Sequence, residues 1–163
     1  MDKLERRLVE LRAAPEGRRL EGVAVRYGDE ARVPWGRERI EAGAFAPIGD
    51  VILNGHHDRS QPLARTGAGL TLDDTAERLA FAAELPATRG ADDLLALVRA
   101  GVVRGASVEM RVTAQRFEGG VRVIERAKLA GIGIVDTPAY AESEIEARRA
   151  ALPAPAPRRR YWL

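Results

Sequence analysis

Residues 105–136, "GASVEMRVTAQRFEGGVRVIERAKLAGIGIVD", hold two extended runs on either side of Glu118-Gly119-Gly120. A Gly-Gly pair between runs rich in β-branched residues is a hairpin signal. In the first run a period of two sets Val108, Met110 and Val112 on one face and Ser107, Glu109 and Arg111 on the other. With the apolar triplet toward a core, the polar triplet faces a groove or solvent.

The stretch just upstream, "TRGADDLLALVRAG", changes period. Asp92 and Asp93 fall in a first turn, Leu94, Leu95, Leu97 and Val98 form one stripe, and Gly101 marks the stop. This predicts a helix over 91–100 that feeds a strand beginning near Gly105, with the stripe in the core. Further back, "VELRA" and "RLEGVAVRY" alternate around "APEG", which predicts two strands and a turn. "LTLDD" and "RLAFAAEL" predict another strand pair, while the stretch with Pro34, Gly36 and Gly43 reads as irregular before "VIL" at 51–53. After Pro138, "AESEIEARRA" suits a short helix and "LPAPAP" a stiff extended linker. The expected class is mostly β with helices (α+β), an antiparallel sheet or closed barrel with one to three packed helices. The expected division is a domain over 1–149 and a Pro/Ala-rich, basic tail over 150–163.

Composition narrows the chemistry. The 163 residues are 45% hydrophobic and contain no cysteine, which excludes disulfides, thiolate nucleophiles and zinc–cysteine sites. No window approaches the roughly 18 apolar residues of a membrane span. The net charge of +2 sits in the last twenty residues, where five Arg oppose two Glu and leave the body near −1. A nucleic-acid binder carries its basic face on the folded part, so this balance argues against DNA or RNA as the main partner.

Both histidines stand side by side in "NGHHDRSQPLAR", residues 54–65. A serine hydroxyl becomes a nucleophile when a base takes its proton, and neutral His is best suited near pH 7. Ser107, flanked by Gly105 and Ala106, has little bulk beside it, and His56 and His57 are the available bases. Asp58, Glu109, Glu125 and Asp136 all compete as the carboxylate that would orient the imidazole, and spacing alone leaves that choice open. Three neighbouring residues of one loop rarely converge on one ion, so His-His-Asp reads as a base segment rather than a metal site.

The order of "LEGVAVRYG", "RIEAGAF", "LNGHHDRSQPLART", "ALVRAGVVRGASVEM" and "LAGIGIVDTPAYAES" resembles the prohead maturation proteases of tailed bacteriophages and related phage-like particles, over about residues 8–148. The resemblance rests on a His-Asp followed by Pro-Leu-x-Arg, a Gly-x-Ser strand after a short helix, and a Pro-Ala after the last core strand. It implies a serine endopeptidase similar in fold to the herpesvirus capsid assembly protease, a β-barrel with surrounding helices. Carried over, the nucleophile falls on Ser107 and the base on His57, with His56 ordering the loop. The chain departs from the family where many members read Leu-x-Glu-[Val or Ile]-Ser in the last strand: Gly131 stands at the acidic place and Gly133 at the serine. On strand-face grounds Glu109 then ranks first as third catalytic member and Glu125 second, and Arg65 and Arg111 are oxyanion candidates. No metal or organic cofactor is required.

The implied substrates are scaffold protein or the N-terminal scaffolding segment of the major capsid protein, and the enzyme itself. The implied place is the immature capsid in the bacterial cytoplasm, with a homodimer as a possible state. The competing readings are a non-catalytic β-barrel scaffold module and an Arg-tailed nucleic-acid binder.

Overall fold

The computed structural model describes residues 5–13 and 17–136. In chain order they form β1 (Glu5–Ala13), β2 (Arg19–Arg26), β3 (Ala31–Val33), β4 (Gly36–Ile40), β5 (Ile52–Gly55) and β6 (Asp58–Thr66). Next come β7 (Gly69–Asp74), β8 (Arg78–Glu84), α1 (Arg89–Arg99), β9 (Gly105–Glu118) and β10 (Val121–Val135). The class is mostly β with one helix among the described residues, consistent with α+β. The helix after Pro138 and the tail expected from sequence lie outside the described residues.

One sheet runs in the order β3-β4-β10-β5-β6-β7-β8-β2-β1-β9, and β9 also pairs with β10. Every expected strand pair is present: β1 with β2, β7 with β8, and β9 with β10, all antiparallel. Gly119 and Gly120 turn the last hairpin with φ of 55° and 78°, a backbone that costs glycine little. β10 is the hub. Its first half pairs in parallel with β4 and its second half in parallel with β5, while β9 runs along its length.

The stretch expected to be irregular contains the short hairpin β3–β4, paired from Ala31↔Glu38 to Val33↔Gly36. Pro34 and Gly36 mark its turn rather than a loop, and the strands are too short and too charged for alternation to reveal them.

The core lies on the face that carries Val108, Met110, Ile132, Ile134 and Leu53, all fully buried. Each such side chain contributes roughly 1.5–3 kcal/mol by leaving water. The helix starts as its sequence predicts: Thr88 Oγ1 accepts from Ala91 N at 3.3 Å, Asp92 sits in the first turn and Arg99 in the last. It buries Ala91, Leu94 and Leu95 in the core. Leu97, expected in the same stripe, is instead 38% exposed, because an eleven-residue helix capping the sheet presents only a narrow arc to it.

Candidate active site

The site starts from a turn. Gly55 and Asp58 pair across β5–β6, so His56 and His57 are the two central residues of the hairpin. Both have positive φ, 50° and 61°, as the tight two-residue hairpin turn demands, and it normally uses Asn-Gly there. For residues with a Cβ this backbone costs about 1–2 kcal/mol each. Two sets of bonds hold it. His56 N donates to Ile134 O at 2.7 Å, tying the turn to β10. Asp58 accepts from Ser60 N at 2.8 Å, Ser60 Oγ at 2.7 Å and Gln61 Nε2 at 2.9 Å. Those bonds, led by the Ser60 hydroxyl, hold the Asp58 carboxyl below its ordinary range, and they occupy it within its own loop.

The turn carries His57 over the outer face of β9 and β10. Its Nδ1 lies 2.5 Å from Glu109 Oε1, and Glu109 is 1% exposed. A carboxylate only accepts, so Nδ1 holds the hydrogen and Nε2 is the basic nitrogen of the neutral ring. Ser107 and Glu109 share a strand face, as the period predicts, and both are buried, with Ser107 6% exposed. They do not open on solvent, because the turn covers them. Arg111, the third member of the triplet, is exposed.

Two glycines of β10 make room for this arrangement. Ladder partners join Asn54 to Gly133 and Gly133 to Ser107. A Cβ on Gly133 would stand 2.5 Å from His57 Cε1 and 2.8 Å from Cγ, and closer still to Nδ1. The imidazole thus fills the place of the missing side chain beside Ser107. Cβ positions of facing residues in an antiparallel pair are about 4.5–5.5 Å apart, which brings ring and serine within a side-chain rotation of each other. Gly131, one step along, faces Glu109, whose Oε2 would lie 3.5 Å from a Cβ there.

The remaining candidates fall elsewhere. Glu125 binds Arg116 at 2.9 Å in the distal half of the β9–β10 hairpin, and Asp136 is exposed past the end of β10. Arg65 pairs with Asp50 at 3.1 Å on the surface. Sequence reading overlooked three participants. Arg59 Nη2 stands 3.8 Å from Glu109 Oε2. Asn54 is wholly buried, and neither amide atom has a hydrogen-bond partner. Gly133 is the seat of the ring. The signal for Gly133 was in the sequence as a glycine inside a strand, which marks a close approach.

No curated protein and no solved structure matches the chain. The profile of the family described as caudovirus prohead serine protease matches residues 3–154. That match spans nearly the whole chain and includes the serine strand, the histidine turn and the glycine-bearing last strand, so the chain belongs to the caudovirus prohead serine protease family.

Proposed function

We propose that this chain is a phage head-maturation protease that cuts capsid proteins inside the immature particle, with Ser107 as nucleophile, His57 as base and Glu109 as the group that orients the base. The observation that carries the reading is the His57–Glu109 bond made over Gly133, the ladder neighbour of Ser107. His57 Nε2 takes the Ser107 proton as Oγ bonds to the scissile carbonyl carbon, whose oxygen becomes an anion. The C–N bond then breaks, and His57 gives its proton to the leaving amine; water repeats the sequence to release the acyl group. Glu109 holds the tautomer that leaves Nε2 basic, and it stabilises the imidazolium. The pairing of β9 with β10, which links the end of the strand order back to its hub, supports a closed barrel of the herpesvirus-assemblin type.

Co-expression with the major capsid protein of the same particle tests the reading. Intact masses should report a trimmed capsid protein with wild type and with His56→Ala, and an untrimmed one with Ser107→Ala and His57→Ala. Glu109→Gln should slow trimming by at least a hundredfold, because the wrong tautomer then competes. An untrimmed partner with wild type inside assembled particles, or trimming by Ser107→Ala, replaces the enzyme with a scaffold module.

A further inference from the structure

β6 is paired unevenly. On one side it meets β5 through Asp58, Pro62, Ala64 and Arg65. On the other it meets β7 only through Arg65 and Thr66. Among the described residues the outer edge of β6 from Asp58 to Ala64 therefore has no partner strand. A groove of about 470 Å³ opens between that edge and α1. Pro62 and Leu63 form one wall, Leu94 and Leu97 the other, Asp93 stands in the helix wall, and His56 closes the end nearest the histidine turn.

Position and chemistry together indicate an occupant. The register Gly55↔Ile134↔Ala106 places the groove's histidine end two ladder spacings from the serine strand. Two spacings are about 10 Å, which an extended chain covers in about three residues. An open strand edge suits the backbone of an extended peptide, and alternate side chains of such a peptide enter flanking pockets. Pro62, Leu63, Leu94 and Leu97 give the groove an aliphatic middle between polar residues, and its acidic member, Asp93, repels a carboxylate. We propose that the groove is a substrate subsite that takes a long apolar side chain of an extended peptide, about three residues from the scissile bond, and rejects an acidic one. The proposal rests on Ser107 being the nucleophile and adds the specificity of that site.

The test is cleavage-site profiling of the full chain on a proteome-derived peptide library, with new ends read by mass spectrometry. A fluorophosphonate probe reports in parallel on Ser107. Wild type should enrich Leu, Ile, Met or Phe, and deplete Asp and Glu, at one position about three residues from the cut. Leu97→Asp should weaken that enrichment about tenfold or more, the range a methylene-lined pocket supplies. Asp93→Lys should admit acidic residues at the same position. Phe117→Asp, at a side chain 72% exposed on the far hairpin end, should cut as wild type does and serves as control. Identical profiles for wild type, Leu97→Asp and Asp93→Lys overturn the subsite. Probe labelling at Ser107 without a remote preference also overturns it while leaving the protease reading intact. Neither labelling nor cleavage by wild type overturns both.

Discussion

His57 stands where Gly133 leaves a side-chain volume empty, and the substitution that fills that volume is the most local test of the site. Gly133→Ala puts a Cβ at 2.5 Å from Cε1, so the ring must leave its place beside Ser107. On the proposed assignment the expected outcome is a folded protein without the contribution of a general base, about 10²–10⁴ in rate. Fluorophosphonate labelling and thermal unfolding measured on the same sample separate that result from misfolding. Gly131 follows the same logic with an acid. In the pattern the chain resembles, a carboxylate occupies the place of Gly131, whereas here Glu109 is its ladder partner. A carboxylate rooted on the adjacent strand lies in contact distance of a Cβ at 131, which supports our proposal that Glu109 takes the part of the acidic residue in that pattern.

At the level of the turn, strain and acidity give two further expectations. Both histidines occupy left-handed backbone, and only His57 is bound to Glu109. His56→Gly should therefore stabilise the protein by about 1 kcal/mol through relief of the Cβ clash, read as a rise in the chemical-denaturation midpoint. The Asp58 bonds favour the ionised carboxyl and hold its pKa down. A depressed carboxyl contributes its full stability above the ordinary aspartate value of about 3.9 and loses it as pH falls through the lowered value. Protection of the Ser60 amide, taken against its intrinsic exchange rate at each pH, should accordingly fall in acid below about pH 4, ahead of protection in the β9–β10 ladder. These elements also mark what the sequence could tell. Helix α1 and the hairpin at Gly119-Gly120 were legible because their periods and stop residues are local. The facing of Ser107 was not. Counted straight back from Glu118↔Val121, Ser107 would meet Ile132, yet register shifts along β9–β10 bring Gly133 opposite it. A slip of one residue exchanges the two faces of a strand, and bulges leave no mark in hydrophobic pattern. Glu109 could be preferred over Glu125 by strand face alone, since that argument needs no register.

Across the whole molecule, one end of the β9–β10 hairpin carries the site and the other carries β3 and β4. That distal end is held by charge. Arg116 reaches Glu41 at 2.5 Å and Glu125 at 2.9 Å, and Arg122 binds the buried Glu38 at 3.0 Å. Arg122→Met removes a charged hydrogen bond from the buried Glu38 and should cost about 1.5–3 kcal/mol, measured by denaturant unfolding. The loss should appear as early exchange in β4 and the first half of β10, with Ser107 labelling retained at low temperature. The hub strand has a second consequence, one of timing. A chain leaving the ribosome releases the histidine turn first and Ser107 about fifty residues later, but the glycine floor beside them lies in β10, the last described strand. Until residues near 134 emerge, β5 lacks its parallel partner and His57 has no seat beside Ser107. On the proposed assignment a nascent chain stays silent until β10 has emerged, a latency that strand order alone imposes.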